Sequence, residues 1–287
     1  MLGLVALAAV GQGLHVPRGR GRVKPFRVPR AALLPEAEAF HRHFVVACHN
    51  VTAAVSRGRF SANNLLEGRV DVLARCATSA LWVSNGVRRD TTLWLCLGRD
   101  TVEVRGADVV GLNPDEKTTA LFLQRALSED DEDEDEDETA AVDFSSFSGK
   151  SQRNLDKVKR KAKSKRAAKK LPPPPGFTVR RGETLDARLA VLSRSRPYFV
   201  LHETGADVDR GEGGVAAAED DGVVLVVSDQ LGWTAAEEAT FAADARASLV
   251  SFGPMSLLTS QCITLAHNRL DRGLWFPSAG GDCSGGV

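Results

Sequence analysis

Val223-Val224-Leu225-Val226-Val227 is the stretch that most narrows what this chain can fold into. Five apolar, mostly β-branched residues in a row make a strand with no polar face to turn toward water. Such a strand needs cover on both sides. Helices packed on the two faces of a parallel sheet supply that cover.

The rest of the chain supports this reading. Phe44–Cys48 reads as a short apolar strand, and Asp71–Ser84 as a helix with Val72, Leu73, Cys76, Ala80, Leu81 and Ser84 on one face. Thr92–Leu97 and Thr101–Arg105 read as strands. Asn113-Pro114-Asp115-Glu116 predicts a helix start with Asn113 as cap and Pro114 in the first position, running to about Leu127. Phe177-Thr178-Val179 and Tyr198–Leu201 read as strands on either side of a short helix, Asp186–Leu192. Thr234 and Glu237 have the spacing of a capping box and open a helix to about Ala245. Ala247–Val250 is the last strand and Ser256–Leu270 the last helix. The fold class is therefore α/β, a mostly parallel sheet with helices on both faces.

Charge patterning sets the domain limits. The 37 basic and 37 acidic residues cancel, but they are segregated. Glu129–Glu138 is an unbroken acidic run of ten, and Lys150–Lys170 holds eleven Lys or Arg against Asp156 alone. Blocks like these repel themselves and do not pack, so 128–176 reads as a solvated insertion, closed by Pro172–Pro175. It interrupts one domain, 39–127 plus 177–272, and does not divide two. With the blocks set aside, nucleic-acid binding must come from a local patch and not from overall charge. Residues 273–287 read as a flexible tail. Residues 1–38 read as a leader; its first 35 positions carry six Lys or Arg and no acid, a composition that suits an organellar transit peptide. The expected compartment is cytoplasmic or organellar.

Cys48, Cys76, Cys96, Cys262 and Cys283 are odd in number and show no C-x-x-C spacing. That argues against a disulfide framework and for a reducing compartment. His41-x-His43 is the one close histidine pair and lacks a carboxylate at ligand spacing, so no metal site is expected. No apolar run reaches the length needed to cross a membrane, and no G-x-G-x-x-G follows a strand.

Five segments in fixed order carry chemistry. They are Gly68–Cys76, Ser84–Thr91, Leu112–Lys117, Tyr198–Gly205, and the strand-turn-helix Ser251-Phe252-Gly253-Pro254-Met255-Ser256-Leu257 leading to Arg272. Gly253 removes a Cβ and Pro254 a donor, leaving bare backbone at the carboxyl end of a strand. The succession resembles the archaeal-type tRNA pseudouridine N1-methyltransferases, of the SPOUT (α/β-knot) class of S-adenosylmethionine enzymes. The resemblance spans roughly 40–127 and 177–272.

The resemblance implies a C-terminal trefoil knot, a homodimer, and S-adenosyl-L-methionine held among three loops. Those loops are Leu201; Ser228 in Val227–Gly232; and Phe252, Gly253, Pro254, Met255, Ser256 and Leu257 with Cys262. Leu201 and Leu257 would sandwich the adenine, although both also read as ordinary core residues. One departure stands out: Ser228-Asp229-Gln230 occupies a place where the family usually has Gly followed by Asp-His. Asp71 and Arg75 lie four apart on one helix face, the spacing of an exposed ion pair. In such an enzyme Asp71 would accept the N1 proton of pseudouridine and Arg75 would hold developing charge or a phosphate. Arg69, Arg88 and Arg89 would supply further RNA contacts.

The expected function is methylation of N1 of pseudouridine in structured RNA, with position 54 of the tRNA T-loop as the target the family implies. Another SPOUT reaction, on ribosomal RNA pseudouridine or a ribose 2′-hydroxyl, and a non-catalytic RNA- or chromatin-bound adaptor are the alternatives.

Overall fold

A computed structural model describes residues 40–128, 172–194, 197–210, 222–274 and 276. The expected leader (1–38), nearly all of the expected insertion (128–176) and residues 277–287 of the tail lie outside the described residues.

The chain enters the sheet with β1 (Arg42–Ala47), then forms a short α1 (Ala53–Ser56) and α2 (Val70–Leu81). A small hairpin of β2 (Trp82–Val83) and β3 (Gly86–Val87) leads to β4 (Thr91–Cys96), β5 (Thr101–Arg105) and α3 (Glu116–Leu127). Beyond the insertion come β6 (Phe177–Arg180), α4 (Leu185–Leu192) and β7 (Tyr198–Asp207). β8 (Val223–Ser228), α5 (Ala235–Ala243), β9 (Ala247–Ser251) and α6 (Thr259–Asp271) complete the order. Seven strands make one sheet, β6-β5-β4-β1-β8-β7-β9. Neighbours from β4 to β9 run parallel, and β5 and β6 add antiparallel at one edge.

β8 behaves as its composition demands. Val223, Leu225 and Val227 pack in the cluster that includes α2, α3 and α6, whereas Val224 and Val226 join the one that includes α4 and α5. β1 divides in the same way, Phe44 and Val46 against Val45 and Ala47. Each fully buried aliphatic or aromatic side chain contributes roughly 1.5–3 kcal/mol, and helices cover both faces.

Four boundaries differ from expectation. α2 stops at Leu81, because Trp82 turns extended and Ser84-Asn85 becomes the turn of the β2–β3 hairpin. Aromatic and β-branched Trp82-Val83 prefer a strand, and Asn85-Gly86 favours a turn. α3 is capped by Asp115 and not Asn113: the Asp115 carboxylate accepts the Thr118 N–H at 2.7 Å, a bond that holds its carboxyl below the usual range. A charged acceptor at the positive end of a helix outcompetes a neutral amide. α6 begins at Thr259 and not Ser256. The Gln261 side chain accepts the Leu258 N–H at 2.9 Å, and Thr259 Oγ1 donates to Ser228 O at 2.7 Å. Finally, β7 continues to Asp207 through an excursion. Leu201 and Ala206 both pair with Val250, so residues 202–205 leave the ladder. Gly205 permits it, since a Cβ there would lie 2.5 Å from the Val250 backbone.

Candidate functional site

The carboxyl ends of β8 and β9 and the excursion of β7 converge on one cleft of about 720 Å³. Open parallel sheets take their ligands at this edge. Leu201, Ser228, the run Phe252–Leu257 and Cys262 all line the cleft, so every position expected to hold a cofactor is brought to one place. Arg69, Val72 and Arg75, one face at the start of α2, line it as well. Asp71, Arg88 and Arg89 do not.

Backbone geometry resolves the departure at Ser228. This residue ends β8, paired in register with Ala47, and is not among the described residues with positive φ. A serine there strains nothing. The glycine requirement lies at Gly253, where φ is 101° and an added Cβ would meet no heavy atom within 4 Å. Gly253 therefore leaves open space beside bare backbone in the cleft wall.

Asp71 is not the exposed ion pair that its spacing suggests. It is buried, 5% exposed, and both its oxygens accept from arginines. Arg75 Nη2 donates to Oδ2 at 2.7 Å, and Arg69 Nε donates to Oδ1 at 3.0 Å. Arg69 adopts the left-handed conformation, φ 55°, the one such non-glycine residue among those described. A left-handed arginine persists where its surroundings demand it, and here it caps α2 while reaching Asp71. Two half-exposed guanidinium groups thus stand in the cleft wall on a buried carboxylate.

The other two arginines are bonded away from the cleft. Arg88 donates to both oxygens of Asp271 at 2.9 and 2.5 Å, and Arg89 Nη1 donates to Ala107 O at 3.1 Å.

Several residues that organise the cleft were missed by sequence reasoning. The Asp229 carboxylate accepts the backbone N–H of His49 (2.7 Å), Asn50 (3.2 Å) and Leu231 (3.0 Å). It thereby ties the loop after β1 to the loop after β8. Only the Leu231 bond, an Asx turn two residues on, has a local signature. Trp233 Nε1 donates to Leu201 O at 2.8 Å and joins the β8 loop to β7. His49 sits between Asp229 and Glu237, with Nδ1–Oδ1 at 3.2 Å and Nε2–Oε1 at 2.9 Å. Burial alone would lower its pKa, but the hydrogen bonds and charges of Glu237 and Asp229 outweigh burial and raise it.

Cys262 is buried, and burial pushes its thiol up to about 11, so it meets the cleft as a neutral, apolar wall. Leu201, Leu257 and Phe252 add apolar surface, and Gly253 adds open backbone. The volume suits a nucleoside-sized ligand. Apolar side chains and bare backbone fit the adenosyl part of the expected cofactor, and charged lining residues such as Glu203, Asp229 and Glu238 offer partners to its methionyl part. Among the described residues no group of three His, Cys, Asp or Glu side chains is placed to hold a metal ion.

Comparison with known proteins gives the same direction. A family profile with the description "Putative SAM-dependent RNA methyltransferase" matches residues 41–149 and 134–274. The tRNA (pseudouridine(54)-N(1))-methyltransferase of Methanosarcina acetivorans is 32% identical over 238 residues, 80% of this chain and 91% of that protein. The protein of the same name from Haloarcula marismortui is 33% identical over 234 residues, 80% of this chain and 96% of its own length. Among solved structures, Archaeoglobus fulgidus Nep1 bound to S-adenosylhomocysteine aligns over 81% of this chain and 97% of its own. Its TM-score is 0.44 at 12% identity, too loose a likeness to carry weight.

Proposed function

The chain belongs to the family of SAM-dependent RNA methyltransferases, and from that premise we propose that it is a tRNA (pseudouridine(54)-N(1))-methyltransferase. One observation carries the reading: all the cofactor positions, the Arg69 cap of α2 and Arg75 within it line a single cleft. Leu201, Leu257 and the backbone around Gly253 hold the adenosyl and methionyl parts of S-adenosylmethionine. When bound, that cofactor supplies a methyl group on a sulfonium, already activated for attack by nitrogen.

The residues of the chain position the base and manage its charge. Arg69 and Arg75 face the cleft and hold the tRNA phosphate and the charge that develops on the uracil carbonyls. Arg89, at the surface, adds a phosphate contact. As N1 gains the methyl carbon it loses its proton. Asp71 lies behind the cleft wall, so it accepts that proton through one water, at acceptor positions its three arginine bonds leave open. Holding the acceptor and the base in one geometry contributes as much as the proton transfer itself.

A homodimer and a knotted C-terminal half belong to the same proposal. Leu231, Met255 and Leu258 are exposed, at 62%, 74% and 54%, on the rim of the cleft. Leu265 follows Leu258 on the same face of α6. A second copy covering this rim would complete the site, and a monomer at micromolar concentration in sedimentation would count against it. The first 35 residues, with six Lys or Arg and no acid, support import into an organelle. A fusion of residues 1–38 to a fluorescent protein that stays in the cytosol would overturn that address.

The decisive experiment incubates the purified chain with S-adenosylmethionine and a tRNA carrying pseudouridine 54, followed by mass spectrometry of the nucleosides. N1-methylpseudouridine is the expected product. Its absence, with S-adenosylhomocysteine bound normally, would assign the cleft to another RNA target.

A further inference from the structure

The geometry points to His49 as a positioning residue for cofactor binding: clasped between Asp229 and Glu237, it braces Trp233, which fixes the Leu201 carbonyl in the cleft wall. The inference rests on the cleft being the S-adenosylmethionine site.

The loop after β1, the loop after β8 and the start of α5 meet beside the cleft, and side chains join them. His49 lies in the first turn after β1, Asp229 and Trp233 in the loop after β8, and Glu237 in the first turn of α5. The imidazole makes one hydrogen bond from each ring nitrogen, to Asp229 Oδ1 at 3.2 Å and to Glu237 Oε1 at 2.9 Å. Its ring also stands edge-on to Trp233, 87° between planes and 6.4 Å between centroids. Trp233 is held from its other side by Phe241, at 4.9 Å and 82°, and its N–H goes to Leu201 O. Asp229 and Trp233 both line the cleft, so His49 is one contact from its wall and two from Leu201.

Both ring nitrogens face carboxylates, which accept and do not donate. A neutral imidazole has one N–H, so one of the two bonds would become a lone pair against an anion. Only the imidazolium satisfies both partners. The charged and titratable groups facing it are Asp229 from the β8 loop and Glu237 from α5. Arg69 acts on Asp229 from the start of α2. The adjacent Cys48 thiol is buried and pushed well up, so it stays neutral. Two acids against one histidine raise the pKa of His49, and Glu237 is correspondingly lowered despite its burial.

A cleft that binds better when His49 is charged loses affinity as pH rises through the raised pKa of His49. The test measures the affinity of the full chain for S-adenosylhomocysteine by calorimetry between about pH 6 and 9, a range that brackets the ordinary histidine value near 6.5 and its upward shift. Wild type is compared with His49→Gln, which keeps hydrogen-bonding capacity and cannot become charged. The ligand titrates equally in both measurements, so the ratio of the two affinities isolates His49. Wild type should bind about fivefold tighter or more at the acid end, with the ratio falling toward one at the alkaline end. Glu237→Gln keeps an acceptor for the α5 cap and removes one of the two charges, so it should move the midpoint of the wild-type profile to lower pH. It also serves if His49→Gln does not fold. Trp233→Phe keeps an aromatic ring, though a smaller one, but not the N–H and should weaken binding at every pH. A ratio that is constant across the range, or an unmoved midpoint in Glu237→Gln, would reduce His49 to a structural residue. Absence of wild-type binding at any pH would remove the cofactor site itself.

Discussion

Arg88 grips Asp271 with two nitrogens, at 2.9 and 2.5 Å, and so ties the segment after the β2–β3 hairpin to the last residue of α6. Arg42 donates to the same carboxylate at 2.6 Å. Burial would raise the Asp271 pKa, but these two arginines outweigh it and bring it down to about 2. Arg88 is thus a clamp, and Arg88→Ala should lower stability to urea by about 1 kcal/mol, a modest loss because Asp271 is partly open to water. Affinity for tRNA should stay within about twofold of wild type, as expected when no phosphate contact is removed. A large loss of RNA affinity with unchanged stability would return Arg88 to the RNA face. Because the folded Asp271 pKa lies below its unfolded value, its contribution is present above about pH 4 and is lost as pH falls toward 2.

His267 gives a separate acid response. Burial is the main cause that lowers its pKa to about 4, assisted by the charges of Arg88 and Arg42. Its Nε2–H donates to Ala80 O at 2.9 Å, and Nδ1 accepts from Arg42 at 3.0 Å, so the neutral form is the one that fits. A depressed histidine pKa costs stability as pH falls from about 6.5 to about 4, on the order of 3 kcal/mol at the upper bound. His267→Gln, which can still donate to Ala80 and accept from Arg42, should flatten that part of a melting-temperature profile. An unchanged slope would place the acid sensitivity elsewhere.

Gly253 and Ser228 should respond in opposite ways. Gly253→Val imposes a β-branched side chain on φ of 101° and fills open space in the cleft. Affinity for S-adenosylhomocysteine should drop at least about tenfold, or 1.4 kcal/mol, while the fold survives. Ser228→Gly relieves no strain, since Ser228 is not among the residues at positive φ, so affinity should change less than about threefold, within the scale of exposed substitutions. Calorimetry on the two variants checks both. A strong gain on restoring glycine would mean that the Ser228 side chain itself obstructs the cofactor.

The parts of this fold that were legible in the sequence are those whose physics is local. The unbroken apolar run of β8 announced a strand covered on both faces, and Thr234 with Glu237 announced the cap of α5. The cleft was legible only through the family resemblance that the ordered motifs carry, which implied that Leu201, Ser228 and the Gly253 turn share one site, as they do. What was not legible depends on distant partners. Arg88 meets a carboxylate 183 positions away, and Asp229 meets His49 across 180. The excursion at 202–205 arises from pairing with β9, and the late start of α6 from a bond to Ser228. No propensity in a window of a dozen residues carries such information.

Asp71 poses the sharpest test, because its geometry serves two roles. It receives both arginines of the cleft wall, so it can orient them, and it keeps acceptor capacity for a proton. Asp71→Asn should preserve affinity for S-adenosylhomocysteine and slow methyl transfer about a hundredfold or more, the scale of losing a general base. If proton acceptance is the lost function, raising pH should partly restore the rate, since hydroxide and spontaneous ionisation of N1 replace the base. If orientation is the lost function, the rate should stay low at every pH and tRNA affinity should fall together with it. Arg75→Ala should lower both affinity and rate, because a guanidinium facing the cleft acts on bound and reacting RNA alike. Single-turnover rates on a T-loop hairpin containing pseudouridine, measured across pH, separate these cases. A hundredfold loss with alkaline recovery and intact RNA binding would assign Asp71 the proton, whereas near-wild-type rates for both variants would remove the pair from the chemistry.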